Sequence, residues 1–88
     1  MAKERRTLYL LRCPRCNGSA SLFAQRLARH GTEYAIACTD RTCGVNTTFM
    51  RKMPEEMADR WNDGIGLTRG GVPYRQRPGQ MMALEVRV

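Results

Sequence analysis

Cys13-Pro14-Arg15-Cys16, and then, after residues 17–37, Cys38-Thr39-Asp40-Arg41-Thr42-Cys43: this stretch decides how the 88-residue chain folds. Each short pair forms a knuckle, a tight turn that points two thiolates at one ion. A hairpin between the pairs brings the knuckles together at Zn–S distances of about 2.3 Å. Pro14 stiffens the first turn, and Gly18 and Gly44 release the chain after each pair. The second pair, with four residues between its cysteines, is wider than the usual two.

Four cysteines against a single histidine favour one structural Zn²⁺ with Cys13, Cys16, Cys38 and Cys43 as its ligands. A catalytic zinc keeps a coordination position open, and four thiolates leave none. Disulfide pairing and redox chemistry through Cys13-Pro14-Arg15-Cys16 are competing uses of the same thiols, but no βαβ framework surrounds the latter. His30 sits in a polar turn and reads as a solvated residue rather than a ligand.

Working outward, the composition explains why a metal is needed. Hydrophobic residues make up 42% of the chain, yet Trp, Tyr and Phe together number only six, which predicts a thin core. Small domains of that kind recruit metals, disulfides or partners. Net charge is +7, and Lys3 and Lys52 are the only lysines among 15 basic residues. A GC-rich coding sequence produces such an arginine excess, and so does a polyanionic partner, since the guanidinium fork grips phosphate bidentately. Lys3, Arg5, Arg6, Arg12 and Arg15 crowd the first sixteen residues, while Glu55, Glu56, Asp59 and Asp63 gather later. No run approaches the ~20 apolar residues of a membrane span, and the N-terminus lacks a signal-peptide core. The expected location is a reducing cytoplasm, where clustered cysteines bind metal.

The predicted fold is a small zinc-stabilised, β-rich, zinc ribbon-like domain with two cysteine knuckles on β-hairpins and one short α-helix. Strands are predicted at Thr7–Arg12, Ser19–Ala28, Glu33–Cys38 and Val45–Arg51. A helix over Leu22–Arg29 fits the second of these nearly as well, because Phe23 and Leu27 are four apart. Gly31 suits the turn before the third strand. Pro54-Glu55-Glu56 opens a helix running to residue 62, with proline and carboxylates in the first turn. Met53, Met57 and Trp61 give that helix an apolar stripe, which serves either the core or a partner groove. Residues 63–79, rich in Gly and Pro with Arg69, Arg75 and Arg77 among them, read as a linker or long basic loop. Met82–Val88 alternate as a strand free to join the ribbon, a second copy in a homodimer, or another protein. Residues 1–62 thus form the expected zinc-ribbon domain, and 63–88 a Gly/Arg-rich linker with a terminal strand.

The run Cys13-Pro14-Arg15-Cys16, Glu33-Tyr34, Cys38-Thr39-Asp40-Arg41-Thr42-Cys43 and Thr48-Phe49 resembles the Ogr/Delta family. Its members are short bacteriophage zinc-finger proteins that activate late transcription. The resemblance spans roughly residues 11–62, and the wide second pair is its most specific element. It implies that the four cysteines bind zinc, that the protein binds promoter DNA, and that it contacts the α subunit of host RNA polymerase. Arg12, Arg15 and Arg41 are then candidate phosphate contacts. The chain departs from the family where Leu22-Phe23-Ala24-Gln25 replaces a segment bearing hydroxyls and arginine. Residues 55–62 instead look like the tail of Lar-like restriction-alleviation proteins.

Two roles follow: a DNA-binding transcription regulator, or a protein-binding factor that inhibits or redirects a host defence or polymerase component. The second would use Met57 and Trp61 as its contact stripe. Catalysis finds little support, with no Ser/His/Asp grouping and no phosphate-binding glycine loop followed by lysine.

Overall fold

Strand β1 (Arg5–Leu11) forms because its side chains alternate. Leu8 and Leu10 are buried, while Arg5, Thr7 and Tyr9 face solvent, which fits the two-residue period of a half-buried strand. The computed structural model describes residues 5–29 and 31–87; Lys3, the turn residue His30 and the last strand residue Val88 lie outside the described residues.

Two sheets share one core. In the first, β1 pairs antiparallel with β7 (Met81–Arg87) along its whole length, Arg5 opposite Arg87 and Leu11 opposite Met81. The second has the order β2-β3-β4-β5-β6, built from Ala20–Leu27, Gly31–Cys38, Val45–Asn46, Thr68–Arg69 and Val72–Pro73. Helix α1 (Pro54–Asp63) packs between the sheets, against β1 and β3.

Several expectations change on contact with this arrangement. The helical reading of residues 22–29 is replaced by β2, which pairs in register with β3 from Ala20–Cys38 to Leu27–Gly31. The predicted strand over 45–51 shortens to Val45–Asn46 because Thr47 turns into the ladder. Its hydroxyl accepts the Ile36 N–H at 2.9 Å while its own N–H donates to the Ile36 carbonyl at 2.8 Å. The chain regains β3 at Met50, which exchanges two backbone hydrogen bonds with Tyr34. The boundary after residue 62 is also crossed. β7 is the partner of the first strand, β5 extends the second sheet from β4, and Leu67 is buried in the common core.

Helix α1 begins at Pro54, with Glu55 and Glu56 in its first turn. It ends at Gly64, whose φ of 74° only glycine adopts without strain. There the N–H of Ile65 reaches the Arg60 carbonyl at 2.8 Å and that of Gly64 the Trp61 carbonyl at 3.2 Å, the paired bonds of a Schellman stop. The face presented inward carries Met57, Ala58 and Trp61. Met57 and Trp61 are 0% exposed, so the contact stripe expected for a partner is core. Met53, just before the helix, is the stripe's one exposed member.

Side chains of α1 also close the edge of β1 that β7 leaves open. Asn62 accepts the Leu11 N–H and donates to the Tyr9 carbonyl, both at 2.8 Å. The indole N–H of Trp61 donates to the Leu11 carbonyl at 2.7 Å. Helix and strand are therefore locked two residues upstream of Cys13.

Candidate metal centre

Both knuckles grow from strand ends. The first follows β1 and carries the chain across to β2, so it joins the two sheets. Its turn is closed by the Cys13 N–H to the Gly18 carbonyl and the Asn17 N–H to the Cys13 carbonyl, both 2.9 Å. The second links the paired strands β3 and β4. Its four-residue loop is shaped by Asp40, whose carboxylate accepts the Thr42 hydroxyl at 2.7 Å and the Thr42 N–H at 2.9 Å. Those two bonds hold the Asp40 carboxyl below its ordinary range.

The knuckles bring the sulfurs of Cys13, Cys16, Cys38 and Cys43 within 4.8 Å of one another. Two distances cross between the knuckles at 3.4 Å: Cys13 to Cys43, and Cys16 to Cys38. A disulfide needs sulfurs about 2.05 Å apart, so neither is one. A tetrahedron of thiolates about 2.3 Å from a central ion has edges of about 3.8 Å, and the cluster fits that size. Cys13, Cys38 and Cys43 are buried, and Cys16 faces solvent. Four protein donors complete a tetrahedral shell, which is the arrangement of a metal that holds structure. Among the described residues, no other group of three or more Cys, His or carboxylate side chains approaches this closely.

Backbone N–H groups point at these sulfurs. The Gly18 N–H donates to Cys16 at 3.3 Å, and those of Asp40 and Val45 donate to Cys38 and Cys43. Such donors favour thiolate and fix the direction of each sulfur. Burial nevertheless pushes the metal-free Cys13 and Cys38 thiols up. Cys43 differs. Burial raises it too, but the Val45 N–H, the Cys13 thiol and the Arg15 guanidinium outweigh that and bring it down to about 7.

No family model, curated protein or solved structure matches the chain. Its function must be read from the site itself.

The three arginines singled out in the sequence all sit on the knuckles. Arg15 reaches from the first knuckle to the Cys43 sulfur of the second, a hydrogen bond that raises the guanidinium pKa further. Arg12 is half-buried, its guanidinium 3.5 Å from the Asn17 carbonyl. Arg41 is exposed at the tip of the wide loop. Residues the sequence reading assigned to a linker or long basic loop join them. Arg69 in β5 donates to the Cys43 carbonyl at 2.7 Å, clasping the second knuckle from outside. Arg75 and Arg77 lie with Pro14, Arg15, Pro73 and Tyr74 around a groove of about 490 Å³ beside the first knuckle. One signal in the sequence marks this segment: from Gly64 to Leu84 there are three arginines and no Asp or Glu.

Among the described residues, no helix is long and apolar enough to cross a membrane.

Proposed function

We propose that the protein is a zinc-held, DNA-binding regulator of transcription, an activator of the bacteriophage type whose motif it resembles. The observation that carries this reading is the group of arginines gathered at the two knuckles. Arg12, Arg15, Arg41 and Arg69 all arise at or against the knuckles, and the nearby Asp40 carboxylate is engaged by Thr42. Thiolate donors and a tetrahedral cluster of this size suit Zn²⁺ among the common metals. The role is binding rather than catalysis, since a four-thiolate shell leaves no position for substrate. A reducing cytoplasm is the compartment in which the four thiols stay available to the ion.

Fluorescence anisotropy of a labelled duplex against increasing KCl tests the reading. Each guanidinium on a phosphate releases counterions, so affinity falls steeply with salt. Arg41→Ala, on an exposed side chain away from the core, should weaken binding and lower the salt slope by about one. Absence of binding at low salt sinks the proposal.

A protein-binding role loses Met57 and Trp61 to the core but keeps one observation. Phe23 and Phe49 are 44% and 40% exposed, flanking a groove floored by Ala35 and Ala37. Binding of purified RNA polymerase α subunit that Phe49→Ser abolishes, with DNA binding unchanged, would favour that role at this face.

A further inference from the structure

Resting on the nucleic-acid reading above, we infer that a second trough, between the first knuckle and the strap of residues 73–79, binds one strand of nucleic acid through its phosphates. Two adjoining hollows make the trough. One is lined by Pro14, Arg15, Pro73, Tyr74, Arg75 and Arg77, the other by Arg12, Cys13, Pro14, Asn17, Arg77, Pro78 and Gly79. They share Pro14 and Arg77, and their volumes are about 490 and 260 Å³. Four arginines face this space, and among the described residues no carboxylate lines either part. A concave surface with one sign of charge concentrates polyanions.

The strap is ordered before any ligand arrives. Its start is tied by the Tyr74 N–H to the Leu67 carbonyl at 2.9 Å. At its middle Gln76 turns inward and donates to the Trp61 carbonyl at the helix end at 3.0 Å. A Cβ at Gly64 would lie 3.1 Å from the Gln76 nitrogen, so glycine there lets the strap lie against the helix stop. Just beyond the strap, the Gln80 carbonyl accepts the Arg12 N–H at 3.3 Å. Pro73 and Pro78 fix φ at two further points. With Gln76 turned in, Arg75 and Arg77 on either side stay exposed. Their guanidiniums are thus presented from a fixed backbone, which lowers the entropy lost on binding.

Tyr74 decides between a single strand and a duplex. Tyr74 is half-buried, packed on one side against the core, and contributes to the wall of the groove beside Arg15, Arg75 and Arg77. An aromatic face interleaved with arginines is the arrangement that holds unpaired bases by stacking while cations follow the backbone. A paired base inside a duplex cannot reach it.

The test uses the full zinc-loaded chain, a labelled 20-nucleotide single strand and the matching duplex, with anisotropy read across a salt series. Zinc content and Trp61 emission confirm that each variant is folded. Arg75→Ala/Arg77→Ala should weaken single-strand binding by about tenfold or more and lower the salt slope by about 1.4, two contacts at ~0.7 each. Tyr74→Leu should weaken single-strand binding at least fivefold with the slope unchanged. Unchanged affinity and slope in the double variant, while Arg41→Ala still loses binding, overturns the trough and leaves the DNA-binding reading intact. Equal losses on strand and duplex with a silent Tyr74→Leu overturn the single-strand assignment. Failure of the wild-type protein to bind either probe at low salt removes both proposals. Competition by inorganic phosphate as effective as that by oligonucleotide, compared per phosphate, would show a simple anion site and overturn the strand.

Discussion

Removing the metal should unfold this protein. Among the described residues thirteen apolar ones form the buried core, and three of them, Cys13, Cys38 and Cys43, belong to the candidate metal cluster, so ten remain to hold the chain without an ion. A domain of this length has a net stability of roughly 4–13 kcal/mol at typical per-residue values. Structural zinc contributes an apparent ~10–16 kcal/mol at neutral pH. The metal contribution is therefore comparable to the whole net stability of such a domain. The loss should also spread. Cys13 lies two residues beyond Leu11, whose carbonyl and N–H are held by Trp61 and Asn62. Releasing the first knuckle frees the end of β1, the helix contact and, through the β1–β7 pairing, the terminal strand. Trp61, 0% exposed in the folded protein, reports all of this. Chelation under reducing conditions should shift its emission to the red and abolish the cooperative urea transition. One equivalent of Zn²⁺ should restore both. Metal-free protein that retains blue-shifted emission and the same urea midpoint would refute the reasoning, because the core alone would then suffice.

Zinc affinity should also rise with pH. Burial pushes the Cys13 and Cys38 thiols up, so both carry protons near neutrality and must release them to bind. Two protons displaced make the apparent constant rise by about a hundredfold or more per pH unit below about pH 7, measurable by competition with a chelating dye. Trp61→Phe removes the N–H that the Leu11 carbonyl accepts at 2.7 Å and should lower stability in urea by about 1–3 kcal/mol, with zinc stoichiometry unchanged. Gly64→Ala forces a side chain into φ 74° and against Gln76, and should cost about 1–2 kcal/mol or more by thermal melting. Asn62→Leu strips both bonds from the edge of β1 and should destabilise by about 1–2 kcal/mol.

The metal centre was legible because its signal is local. A thiol pair two or four residues apart can do few things, and two such pairs in a chain with a thin core leave one that satisfies all four. The hairpin of β2 and β3 was legible in part: Gly31 marked its turn, but Phe23 and Leu27 fitted a helix nearly as well as a strand until the pairing with β3 decided it. The end of β4 was not. Thr47 reads as an ordinary β-branched strand residue, and only a neighbouring backbone shows that its hydroxyl replaces a carbonyl in the ladder. The destination of Met57 and Trp61 was ambiguous because an apolar helical stripe has the same spacing whether it meets a core or a partner. The indole bond to Leu11, fifty residues away in sequence, resolves it.

The strap shows why composition misleads at this scale. Gly64, Gly66, Gly70, Gly71 and Gly79 with two prolines look like a flexible linker, and the residues between them make no periodic pattern. In the fold each kind of residue has a fixed task. Gly70 and Gly71 close the β5–β6 hairpin, Gly64 stops the helix, and the prolines restrict the backbone that displays Arg75 and Arg77. What orders the segment is a set of single hydrogen bonds to distant groups, from Tyr74 to Leu67, Gln76 to Trp61 and Arg12 to Gln80. None of these leaves a trace in local sequence. The charge pattern does, since Arg69, Arg75 and Arg77 fall in a segment without one carboxylate. Once the strap is laid beside the first knuckle, those charges add to Arg12 and Arg15 and turn a scattered net excess into one concave basic surface.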